Sequence, residues 1–157
     1  MSKLLSIIVI LLLTLTFTGC FFDNKINQND GINRIYLENK YYNNGEFIYI
    51  KNADLKKLGN SNYILYTYNN YCSLPISCED IFQQFMSKYN IDFLAMPFEE
   101  FKESEIYNTV KYAPSVIIIE NGKVLAYLDA NTDNDLKKYQ DANEFEQWMN
   151  NYIYFQK

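Results

Sequence analysis

The chain has 157 residues, a formal net charge of −5 and no histidine. That length suits one domain with a core of its own rather than two. The acidic balance argues against nucleic acid and against electrostatic adhesion to anionic lipid. Without an imidazole, Ser-His and Cys-His nucleophiles and histidine-based zinc sites are excluded.

Met1-Ser2-Lys3 is followed by an apolar run from Leu4 to Phe17 and then by Thr18-Gly19-Cys20. A cationic start, a short apolar segment and a small residue before the cut describe a secretory signal peptide over residues 1–19. The run is too short for a comfortable transmembrane helix. Phe17-Thr18-Gly19-Cys20 resembles a bacterial lipobox, in which the cysteine carries fatty acid (palmitate-type acyl chains) and becomes the mature N-terminus. That resemblance implies lipidation of Cys20 and an anchor on the extracytoplasmic face of a cell membrane, where two acyl chains suffice for stable attachment. The alternative is an ordinary signal peptide whose cut lies near a cysteine. Losing the leader removes Lys3 and no acid, so the mature chain is more acidic by one charge.

Residues 20–33 form a tether: from Phe21 on they are polar and aperiodic, reaching at most about 40 Å at roughly 3.3 Å per residue. The domain is expected over residues 34–157. Arg34–Leu37 and Phe47–Lys51 read as a hairpin turning at Asn44-Gly45. Asp54–Leu58, closed by Gly59, reads as a short helix. Tyr63-Ile64-Leu65-Tyr66-Thr67-Tyr68 reads as a buried strand. Asn69-Asn70-Tyr71 leads to Cys72, and Cys78 follows after five residues. Pro75 keeps Leu74 out of helical geometry, and Ser77 with Asp80 fits a Ser-x-x-Asp cap. The helix that follows sets Ile81, Phe82, Phe85, Met86 and Tyr89 on one face. Ile91–Met96 is a second strand, and Pro97 opens a helical region with Phe98, Phe101, Ile106 and Val110 toward the core. Val116–Ile119 and Val124–Leu128 form a hairpin over Asn121-Gly122. A last helix over 143–154 places Phe145, Trp148, Met149 and Tyr152 at helical spacing.

A strand ending near a cysteine, a helix, then Tyr112-Ala113-Pro114-Ser115 opening a strand–Asn-Gly–strand hairpin resembles the thioredoxin superfamily. The fold so implied is α/β: a central mixed sheet with flanking helices, closed by a β-hairpin and a C-terminal helix. In that superfamily the proline before the last hairpin is cis and packs beside the cysteines, and the residue before it offers its backbone to a peptide. Ala113 and Pro114 stand at those positions, and Tyr71 precedes the first cysteine. The resemblance therefore implies Cys72 and Cys78 as the catalytic pair, with Tyr71, Ala113 and Pro114 at the peptide-docking edge. Within the superfamily the chain is similar to small exported proteins of the bacteriocin-transport-accessory type. No cofactor is implied. The departures are the C-x5-C spacing, Tyr66 in place of a buried acid, and Gln83 in place of a helix proline.

With Cys20 consumed by lipid, Cys72 and Cys78 remain as one pair, in a compartment that permits disulfides. A bridge between them closes a loop of about seven residues, a staple of roughly 2.4 kcal/mol in the chain-entropy model. Redox exchange, a purely structural bridge and two thiols are the three readings. Glu79 and Asp80 complement the helix dipole but oppose a thiolate at Cys78, which makes Cys72 the attacking candidate. The function so expected is thiol–disulfide exchange with exported proteins. The alternative is a non-catalytic lipoprotein that binds a partner and keeps its cysteines as a staple. Asp129, Asn131, Asp133 and Asp135 alternate as in a calcium loop. Asn134 and Gln140 stand where glycine and glutamate are needed, so a solvated acidic loop is expected and no metal.

Overall fold

Alternation along the Tyr63–Tyr68 strand sets the layering, because successive side chains of a strand point to opposite faces. The computed structural model describes residues 34–69 and 75–156. The leader, Cys20 and the tether lie outside the described residues, as do Tyr71 and Cys72. Five strands form one sheet: β1 (Phe47–Tyr49), β2 (Tyr63–Tyr68), β3 (Phe93–Pro97), β4 (Ser115–Glu120) and β5 (Lys123–Tyr127), in the order β1-β3-β2-β4-β5. β3 runs parallel to both β1 and β2, whereas β4 is antiparallel to β2 and to β5. The helices are α1 (Asn52–Leu55), α2 (Cys78–Tyr89), α3 (Phe98–Phe101), α4 (Asp133–Leu136) and α5 (Ala142–Tyr152).

On one face Ile64, Tyr66, Phe93, Ala95, Val116 and Ile118 pack under α2 and α5, meeting Ile81, Phe82, Phe85, Met86, Phe145 and Met149. On the other face Tyr63, Leu65, Leu94, Met96, Ile117 and Ile119 meet Leu55, Phe101, Ile106 and Val110. Each fully buried Phe, Leu or Ile contributes about 1.5–3 kcal/mol of transfer free energy. α2 buries Ile81, Phe82, Phe85 and Met86, the stripe expected of 3.6 residues per turn. It stops at Asn90, whose φ of +52° is the left-handed cap and whose N–H bonds Met86 O. α5 starts where Asp141 accepts from the N–H groups of Asn143 and Glu144 at 2.8 and 3.2 Å.

Two local expectations are overturned. Asn44-Gly45 does not turn a hairpin: β1 pairs in parallel with β3, and Ile35 bridges Ile153 at the C-terminus. Gly45 (φ +73°) instead lets the chain press on the end of α2, where a Cβ would lie 2.7 Å from Met86 O. Gln83 Nε2, in the position where the resemblance expects proline, donates to Gly45 O at 2.7 Å. The Ser77 side chain makes no capping bond; Asp80 N–H is taken by the Ser77 carbonyl at 3.1 Å. The second Asn-Gly pair does turn its hairpin, with φ of +50° at Asn121 and +74° at Gly122, the two positive values a type I′ turn requires.

Candidate functional site

The antiparallel register of β2 with β4 sets Thr67 opposite Ser115. The end of β2 is thereby brought against the loop that precedes β4. Two residues further out on each side, Asn69 Nδ2 donates to Ala113 O at 2.9 Å. The Ala113–Pro114 peptide bond is cis, as the resemblance implies. Ser115 Oγ donates back to Tyr112 O at 2.8 Å, tightening the same loop.

Cys78 is the first residue of α2 and is 2% exposed. It sits over the α2 side of the sheet because Tyr66 shares that face with Ile64. Tyr66 Oη lies 3.7 Å from Cys78 Sγ and donates to Glu79 Oε1 at 3.3 Å. Burial, then the neighbouring Cys78, then Glu79 push the Tyr66 phenol far above its ordinary range. The ring itself is held between Tyr68, Phe47 and Phe82, at 5.8, 5.4 and 5.2 Å between centroids.

Tyr139 joins this group to the cis peptide. Its single hydroxyl proton is shared between Pro114 O at 3.0 Å and Leu128 O at 2.8 Å. Burial first of all raises its pKa well above the usual phenol range, and Cys78 is among the groups that add to that rise. Tyr139 thus bonds Pro114 directly and lies near enough to Cys78 for that group to act on its phenol. The segment entering α2 is pinned by Gln140, whose amide accepts from Ile76 N at 3.2 Å and donates to Ile76 O at 2.9 Å. Ile76 and Tyr112, 45% and 51% exposed, place apolar surface on the two loops that lead into Cys78 and Pro114.

Of the residues expected from the sequence, Cys78, Ala113 and Pro114 converge at one end of the sheet. Tyr71, Cys72 and Cys20 lie outside the described residues. Tyr139 and Asn69 escaped the sequence reading. Tyr139 belongs to no periodic stripe, and its partners are carbonyls that the sequence does not display. Tyr66 was legible only as the loss of an acid, yet its hydroxyl is in contact with the Cys78 sulfur. The alternating acids after β5 are spent on their own turn. Asp129 Oδ1 accepts from Asn131 N at 2.8 Å, and Asp135 Oδ2 accepts from Asp129 N at 3.0 Å. Among the described residues no group of three or more His, Cys, Asp or Glu side chains could hold a metal ion. Among the same residues no helix is long and apolar enough to cross a membrane.

The sequence matches no protein-family model and no curated protein. Solved structures do resemble this one. A mutant thioredoxin from Halobacterium salinarum superposes with a TM-score of 0.51 at 12% identity, covering 73% of this chain and 97% of its own. Thioredoxin from Schistosoma mansoni gives 0.50 at 18% identity, covering 71% and 99%. The class defined is therefore the α/β thioredoxin fold: a mixed five-stranded sheet with flanking helices. At such identities the likeness concerns the fold.

Proposed function

We propose that this protein exchanges thiols and disulfides with other exported proteins while held at the outer face of a membrane by lipid on Cys20. Cys72 attacks, Cys78 resolves, and Tyr71, Ala113 and Pro114 form the edge on which the partner chain docks. The observation that carries the reading is that β2 brings Tyr66 to Cys78 and, just past its end, Asn69 to the cis Ala113–Pro114 bond, which Tyr139 holds at Pro114 O. A cysteine 2% exposed in the first turn of a helix suits a resolving thiol. It is shielded from adventitious reagents and lies where free N–H groups stabilise a thiolate once formed. The exposed Ile76 and Tyr112 supply apolar contact for an unfolded or extended segment.

The test is a glutathione titration of the full chain, read by alkylation of each cysteine. Structural disulfides have potentials below about −300 mV, and exchange-competent ones lie above that limit. The expected result is a couple above it, with Cys72 alkylated before Cys78, and mixed disulfides trapped on Cys72 by Cys78→Ser. A bridge that withstands reductant until the domain unfolds points instead to the partner-binding lipoprotein. The anchor is tested separately: Cys20→Ala abolishes fatty-acid labelling and releases the protein, and unchanged retention of that variant counts against the lipid.

A further inference from the structure

A buried hydroxyl stands between the Cys78 sulfur and a carboxylate at the surface. An ionised carboxylate can only accept hydrogen bonds, so the Tyr66 phenolic proton belongs to the 3.3 Å contact with Glu79 Oε1. That leaves the lone pairs of Tyr66 Oη for the Cys78 thiol, 3.7 Å away. The chain of donors runs from Cys78 S–H to Tyr66 O–H to the Glu79 carboxylate. Cys78 and Tyr66 are buried whereas Glu79 is exposed, so these three residues connect a buried sulfur to the surface.

The surroundings favour transfer through Tyr66 over ionisation of Tyr66. Its burial disfavours a phenolate, so the hydroxyl must take a proton on one side as it gives one on the other. Tyr139, the other phenol beside Cys78, has its hydroxyl engaged by the carbonyls of Pro114 and Leu128. Tyr68 stacks on Tyr66 and lies near Glu79, and Asp80 is exposed on α2. Phe47 and Phe82 close the remaining sides of the Tyr66 ring.

We propose that Tyr66 relays the Cys78 proton to Glu79 as Cys78 becomes a nucleophile. The inference rests on the thiol-exchange reading above. The substrate is a protein disulfide that has already formed a mixed disulfide with Cys72. As Cys78 Sγ attacks Cys72 Sγ, the thiol proton passes to Tyr66 Oη and the phenolic proton passes to Glu79. The Cys72–Cys78 bond forms, the Cys72–substrate bond breaks, and the substrate sulfur leaves with the electron pair as a thiolate. Two electrons move from the cysteine pair to the substrate disulfide. Glu79 then loses its proton to solvent, and the substrate thiolate takes one up. The same path run backwards serves the oxidising direction.

Stopped-flow mixing of the reduced full chain with a chromogenic aryl disulfide separates the two steps, in a Cys20→Ser background so that only Cys72 and Cys78 report. The first release of aryl thiolate reads attack by Cys72, and the second reads attack by Cys78. Tyr66→Phe and Glu79→Gln preserve shape and are expected to leave the first release unchanged. Both are expected to slow the second about tenfold to a hundredfold near neutral pH. That deficit narrows as pH rises, because hydroxide then takes the thiol proton without the relay. A second release in either variant that matches the parent, or a slowing equal at every pH, overturns the relay and leaves thiol exchange standing. No second release in the parent chain overturns the exchange reading and the relay with it.

Discussion

The face of the sheet under α2 and α5 carries the larger buried cluster, and the two faces also differ in how they treat their polar groups. Under α2 and α5 the buried hydroxyls are engaged: Tyr66 with Cys78 and Glu79, Tyr139 with two carbonyls. On the α1 and α3 face, Tyr41 Oη, Asn52 Oδ1 and Ser104 Oγ are buried without a hydrogen-bond partner. Burying a hydroxyl without a partner costs free energy, whereas a partnered one orders its neighbours. The first face therefore uses polar groups to fix geometry at the end of the sheet where Cys78 and Pro114 lie. The second face is mostly apolar: Asn52 Nδ2 still donates to Glu103 O, but the three atoms named leave their hydrogen-bonding capacity unused.

That contrast can be broken most forcefully in the packing. Phe82 is fully buried among Tyr66, Tyr139 and Phe145, with centroids 5.2, 5.9 and 4.8 Å away. Phe101, equally buried, meets Phe98 and Tyr107 at 6.2 Å, and both of these are only half-buried. Phe82→Ala is expected to lower stability by about 4 kcal/mol and Phe101→Ala by about 3, because the looser site collapses more readily. Urea unfolding monitored through Trp148 ranks them. The reverse order breaks the comparison.

The polar contrast is sharpened by a second pair. Tyr139→Phe leaves the carbonyls of Pro114 and Leu128 without their phenol and is expected to cost about 2 kcal/mol. Ser104→Ala removes a hydroxyl that has no partner and is expected to change stability by less than about 0.5 kcal/mol, or to raise it. Equal losses in the two variants remove the distinction between the faces.

The smallest expected effect is electrostatic. At the rim of the first face Glu146 on α5 accepts from Lys88 Nζ at 2.7 Å and from Tyr89 Oη at 2.5 Å, both on α2. The hydrogen bond from Lys88, then that from Tyr89, holds the Glu146 carboxyl below its ordinary value. A carboxyl lowered in the folded state stabilises the fold above its unfolded pKa, about 4.3, and loses that contribution as pH falls through the folded value. Glu146→Gln should therefore destabilise near neutral pH by less than Tyr139→Phe does. The gap between variant and parent should shrink in acid, and a gap that is flat from neutral to acid rules out this pair as its source.

Two Asn-Gly dipeptides mark how far the sequence reaches. Asn121-Gly122 turns the β4–β5 hairpin as its flanking apolar runs predict, since a two-residue connection between strands fits an antiparallel hairpin. Asn44-Gly45 carries the same local signal, but Ile35 is claimed by Ile153 and β1 by β3. Long-range pairing offered these runs more buried backbone partners than a local hairpin could, and the dipeptide became a contact with the end of α2.

β2, α2 and the proline before β4 were set by local pattern alone: β-branched and aromatic alternation, a 3.6-residue apolar stripe and a turn residue at a strand start. What joined them was decided by tertiary structure. Tyr66 faces Cys78 because strand alternation points it under α2, and the register of β2 with β4 brings Asn69 to Ala113. Tyr139 meets Phe82 and Pro114 only because the segment after β5 folds back beneath α2. Periodicity determines which face a side chain takes; the partner it meets there depends on contacts between segments dozens of residues apart.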